Sequence, residues 1–147
     1  MNALLLCLLG AAPDAYASLE RLSSAQAVQA SFRQEKKSPA FRIPLRSEGR
    51  VYIQPPGRLR FEYTKPASTL ILAENKLTSF HPGFGAPQTI DMSKQPELRS
   101  AFSLMLSVLR GDLKTLQRAF EFKAHDDWVE LRPKGAALKK LVRSIRL

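Results

Sequence analysis

Between Ser47 and Tyr63 the chain reads SEGRVYIQPPGRLRFEY, two runs in which apolar and polar residues alternate on either side of Pro55-Pro56-Gly57. A period of two puts Val51 and Ile53 on one face of the first run. Past the turn, Leu59, Phe61 and Tyr63 face one way while Arg58, Arg60 and Glu62 face the other. This predicts an antiparallel hairpin with one apolar and one wet face. Upstream the period is different. From Ser18 to Phe32, Leu19, Leu22, Ala25, Val28 and Phe32 recur at steps of three and four, the spacing of one helical face, with Ser18 as cap and Glu20 in the first turn. The next stretch, RQEKKSPAFRIPLRS, is basic and interrupted by Pro39 and Pro44, so it reads as the end of a strand and a loop.

After Pro66, STLILA is apolar on both faces. Glu74-Asn75 is a turn in which Asn tolerates the left-handed conformation, and KLTSFH is the return strand. HPGFGAPQTIDMSKQP reads as a loop with a short extended piece at Gln88 to Asp91, which brings the count to four or five strands in an antiparallel meander. A second helix is expected from Pro96 to Gly111, with Ser93 as cap. Leu98, Phe102, Met105 and Leu109 form one stripe on it and Ala101, Leu104 and Val108 a second, an apolar arc too wide for a helix that only covers a sheet. Asp112 can cap a short helix through Leu116. Three strands are expected to close the chain: Phe120 to Ala124, Trp128 to Arg132 and Leu138 to Leu147.

The N-terminus changes this picture. MNALLLCLLGAAPDAYA joins an apolar run, far shorter than the ~20 residues of a membrane-spanning helix, to an Ala15-Tyr16-Ala17 cleavage pattern. Residues 1–17 are expected to be a secretory signal peptide, the alternative being a buried N-terminal helix, and residues 18–147 a single domain. Cys7 is the only cysteine and lies in the leader, so the exported domain is expected to have no disulfide and no thiol chemistry. The 147 residues are 44% hydrophobic and carry a formal net charge of +10, an ordinary globular composition whose basic balance bears on partners rather than on fold.

Candidate chemistry is sparse. His81 and His125 are far apart and each stands beside turn residues, which gives no metal-ligand spacing; neither a metal nor any other cofactor is expected. There is no G-x-S-x-G, Gly83-Phe84-Gly85 leads into Ala86-Pro87 rather than a helix, and His125-Asp126-Asp127 is a solvated turn, so an enzyme is not expected. Strict alternation sends Phe61 and Tyr63 to the face opposite Arg58 and Arg60. Base-stacking platform and phosphate clamp would then lie on different surfaces, which argues against a nucleic-acid partner. Sheet and broad helix could instead enclose an apolar cavity.

Taken together, the leader, Phe32-Arg33-Gln34, Ser47-Glu48-Gly49, the Pro55-Pro56 turn, Arg60-Phe61-Glu62-Tyr63 and Pro66 resemble the LolA-type periplasmic outer-membrane lipoprotein carriers. The resemblance implies an α+β fold: an incomplete, curved antiparallel β-barrel with an N-terminal helix and central lid helices over its concave face. It implies a monomer in the periplasm that binds acyl chains of lipoproteins or related lipids, taken from an inner-membrane exporter and passed to an outer-membrane acceptor without cofactor or chemistry. The cargo wall expected from it comprises Phe32, Val51, Ile53, Leu59, Phe61, Tyr63, Leu70, Leu72, Phe102, Met105, Leu106 and Leu109. Carriers of this type hold an Arg just before the Pro of the turn, where Pro55 stands here, and continue with further strands after the position of Leu147. Divergent members in envelope-lipid or polyene-pigment pathways resemble the sequence about as well. The alternative function is a basic periplasmic binding or sensor domain that docks anionic lipid or polysaccharide surfaces without cargo.

Overall fold

The computed structural model describes residues 3–8, as backbone only, and residues 21–37, 39–40, 42–126 and 128–147. Six strands run as a meander: β2 (Val28–Lys37), β3 (Leu45–Gln54), β4 (Arg58–Lys65), β5 (Ala67–Ala73), β6 (Lys76–Phe80) and β7 (Gln88–Asp91), each antiparallel to the next. A second antiparallel group holds β8 (Phe120–Ala124), β9 (Val129–Pro133) and β10 (Val142–Arg146). β1 (Ala3–Leu8) lies between the groups, antiparallel to β2 and parallel to β10, so that the order is β7-β6-β5-β4-β3-β2-β1-β10-β9-β8. β7 and β8 are the outer edges of this order, and the sheet is not a closed barrel.

The hairpin pattern is realised in register. Val51 pairs with Phe61 and Ile53 with Leu59, and these four form the buried face, at most 3% exposed. Glu74 and Asn75 both take positive φ, 51° and 62°, in the turn between β5 and β6. Gly49 has a different task. It sits across from Phe32 on β2 and Tyr63 on β4 at an irregularity in the ladder, and a Cβ there would lie 1.9 Å from the Glu62 carbonyl oxygen. The irregularity thus brings the Glu62 main chain so close that only glycine fits.

Two periodicity readings are corrected. The helix expected from Ser18 to Phe32 is helical at residues 21–23 and is a strand from Val28 onward; Ser18, Leu19 and Glu20 lie outside the described residues. Val28, Ala30 and Phe32 fit a period of two as well as a helical one, and pairing with Ile53, Val51 and Gly49 on β3 decides between them. The strand expected from Leu138 to Leu147 begins only at Val142, because Ala136–Leu141 is a helix. AALKKL has no β-branched residue and favours a helix after Gly135, whereas Val142 and Ile145 favour extension. Of the expected leader, residues 1–2 and 9–17 lie outside the described residues. Ala3–Leu8 is a strand rather than the alternative buried helix.

Helix α1 (Pro96–Leu109) packs Phe102, Val108 and Leu109 into the core of the sheet's inward face, α2 (Leu113–Ala119) follows it, and α3 (Ala136–Leu141) precedes β10. Pro96 opens α1, but Ser93 does not cap it. The Ser93 amide and hydroxyl instead donate to Asp91, at 2.9 and 2.6 Å, and order the 3-10 turn Met92–Lys94. Gly111, at φ 64°, ends the α1 segment as expected of a helix-terminal glycine.

Asp112 caps α2: its carboxylate accepts from the Thr115 amide at 3.2 Å and the Thr115 hydroxyl at 2.7 Å. These bonds, the hydroxyl one foremost, hold its pKa below the ordinary carboxylate range. A depressed pKa contributes stability that is present above the unfolded-state pKa and lost as pH falls through the folded one. Asp112→Ala is therefore expected to lower unfolding free energy by about 1 kcal/mol at neutral pH. In urea titrations repeated at decreasing pH, that deficit should shrink below the carboxylate range.

Candidate functional site

The core is continuous from the sheet to the helices. Phe32, Val51, Ile53, Leu59 and Phe61 from the strands join Phe102, Val108, Leu109, Leu116 and Phe120 from the α1–β8 segment, all buried. Phe32 is its centre, 1% exposed, with its ring edge-on to Phe61 at 5.2 Å and to Tyr63 at 5.1 Å. Such edge-to-face pairs contribute beyond area burial and hold the rings in fixed orientations.

Next to this core the packing stops short, and an apolar cavity of about 410 Å³ lies between the sheet and α1. Phe61 and Tyr63 of β4 and Leu70 of β5 form its floor. Leu98, Ala101, Phe102, Leu104 and Met105 of α1 face them, and Phe120, Leu138, Leu141, Val142 and Ile145 complete the wall. The double stripe of α1 now has a physical account: Phe102, Val108 and Leu109 are buried in the core, while Leu98, Leu104 and Met105 are only partly buried and line the hollow. The polar wall residues Gln34 and Lys36 both come from β2, where the inward positions Val28, Ala30 and Phe32 give way to them.

Tyr63 marks this change of polarity. Its hydroxyl donates to the Gln34 side-chain oxygen at 3.2 Å, and burial pushes its phenol pKa up. Gln34 also borders a more polar surface groove with Arg33, Glu35, Arg46, Ser47, Glu48 and Lys65. The apolar cavity and the charged groove thus share Gln34.

Of the twelve residues expected to form a cargo wall, Phe61, Tyr63, Leu70, Phe102 and Met105 line the cavity. Phe32, Val51 and Leu109 are core residues, and Leu106 packs against the core beside the cavity. Ile53, Leu59 and Leu72 border a separate, shallower groove with Tyr52, Arg58 and Arg60. Period-two reasoning named one face of the sheet correctly but could not say which part of that face is filled. Leu98, Ala101 and Leu104 were legible as part of the broad arc of α1. Leu138, Leu141, Val142 and Ile145 were hidden by the misplaced helix–strand boundary, and Gln34 and Lys36 by their polarity.

His81 and His125 are not part of this cavity. The His125 ring stacks on Trp128 at 3.6 Å, and Arg146 lies over the Trp128 ring, 4.8 Å from its centroid. Among the described residues no three His, Cys, Asp or Glu side chains are placed to hold a metal ion, and no helix is long and apolar enough to cross a membrane.

Comparison with known proteins adds one finding. A family model described as outer membrane lipoprotein carrier protein LolA matches residues 23–147, from the described N-terminal helical turn to the last strand. A search of curated proteins finds no match.

Proposed function

The chain belongs to the LolA family of outer-membrane lipoprotein carriers, and we propose that it holds the acyl part of a lipoprotein or related lipid in the cavity beneath α1 and ferries it through the periplasm to the outer membrane. The observation that supports this reading most is the hollow itself: an apolar space of about 410 Å³ beside an otherwise buried core, roofed by partly buried Leu98, Leu104 and Met105. Burying an acyl chain there contributes ~0.8 kcal/mol per methylene, enough for retention without a covalent step. In this reading residues 1–17 are a leader removed on export. The protein works as a monomer between an inner-membrane donor and an outer-membrane acceptor, and uses neither catalysis nor cofactor. Removal of the leader would take β1 away and leave β2 and β10 as facing strand edges.

Uptake of a fluorescent acyl probe by the purified protein, combined with native mass spectrometry of protein from envelope extracts, tests the proposal. Probe uptake is expected to saturate at one site, to persist at high ionic strength, and to fall at least tenfold in Met105→Glu, which puts a charge in the cavity wall. Binding that disappears in salt would instead support docking of an anionic surface by the basic groove around Arg33, Arg46 and Lys65. Absence of both co-purified lipid and probe uptake would overturn the carrier reading.

A further inference from the structure

We propose that the cargo is an anionic amphiphile whose head is bound by Lys36; this rests on the carrier reading and names its ligand class. The first observation is the cavity itself, an apolar space of about 410 Å³ that is partly open to the surface, as a ligand with an apolar tail and a polar head requires.

The second observation is the distribution of polarity. The inward face of β2 runs Val28, Ala30, Phe32 and then Gln34 and Lys36, so the polar part of the cavity wall is confined to one strand end. Lys36 is half-buried there and supplies the wall's cationic group. Its neighbours Lys37 and Arg46 both pair with Glu35, at 3.9 and 3.3 Å, whereas among the described residues no carboxylate lies within ion-pair distance of Lys36. An ammonium bordering an apolar cavity, with no counter-ion among the described residues, favours an anionic head over a neutral or cationic one. Gln34 is already oriented by the Tyr63 hydroxyl, which bonds its oxygen and leaves its amide nitrogen to donate to the same head. A long-chain carboxylate and a single-chain phospholipid share this chemistry.

Displacement of the fluorescent acyl probe by palmitate, hexadecanol, palmitoyl lysophosphatidate and a triacylated lipopeptide reads out the preference. Palmitate or the lysophosphatidate is expected to compete at least tenfold better than hexadecanol, and the better of the two identifies the head as carboxylate or phosphate. Lys36→Met keeps the aliphatic stem and is expected to weaken the anionic competitors about tenfold or more while leaving hexadecanol unchanged; Lys36→Arg should retain the preference. Equal competition by palmitate and hexadecanol, or an unaltered preference in Lys36→Met, would overturn the anionic head and leave the carrier reading standing. Displacement by the lipopeptide alone would overturn the anionic head and still support a carrier. Failure of every competitor and of the probe itself would instead count against the cavity as a lipid site.

Discussion

Gly49→Ala is expected to destabilise the protein by about 3 kcal/mol or more, because the added methyl meets main chain rather than a movable side chain. Its carbon would stand 1.9 Å from the Glu62 carbonyl oxygen, 2.8 Å from the Glu62 carbonyl carbon and 3.0 Å from the Tyr63 Cα. Relief requires β3 and β4 to separate at the point where Gly49 pairs with both Phe32 and Tyr63. Separation would also pull Tyr63 from Gln34 and open the cavity floor. Urea unfolding should show a lowered midpoint, and acyl-probe uptake should weaken in the same variant. Gly57, in the β3–β4 turn, has nothing within 4 Å of the equivalent position. Gly57→Ala therefore serves as the paired control, and an equal loss in both would refute the close-approach account.

Phe32→Ala is the second large effect, with an expected loss of about 3–5 kcal/mol. The side chain is 1% exposed and meets two other aromatic rings edge-on, so its removal leaves a void in the centre of the core and frees Phe61 and Tyr63 to tilt. Those two rings are part of the cavity floor. The void would join the existing hollow, so the variant should retain or even gain probe capacity while its thermal unfolding midpoint falls. Phe32→Leu preserves most of the volume and is expected to recover more than half of the lost stability. A Phe32→Ala protein as stable as the parent would show that the aromatic trio contributes little.

The two variants also mark how much could be read from residues alone. Alternation across Pro55-Pro56-Gly57 was sufficient for β3 and β4, because a period of two sets which side chains point inward and the short turn sets the register. The width of the apolar arc on α1 indicated that the helix meets more than one sheet face, and its first two-thirds line the cavity while Val108 and Leu109 near its end are core. Spacing alone places Phe32 on a helix because Val28 and Phe32 are four apart; the competing period-two reading depends on a partner strand that sequence does not display. The same limit applies to AALKKL, whose short helix supplies Leu138 and Leu141 to the wall.

Sequence by itself determined the α+β class, the meander from β3 to β7, the Pro96 start of α1, the cap at Asp112 and the family, since each rests on local periodicity, turn chemistry or short motifs. The tertiary structure decided which apolar residues are core and which border a hollow. It also decided that Gly49 is a point of backbone contact and that Lys36 borders the same cavity as Met105. Hydrophobicity is a property of a residue and can be read along the chain. A void is a property of the volume left when distant segments pack, and only their arrangement in space defines it.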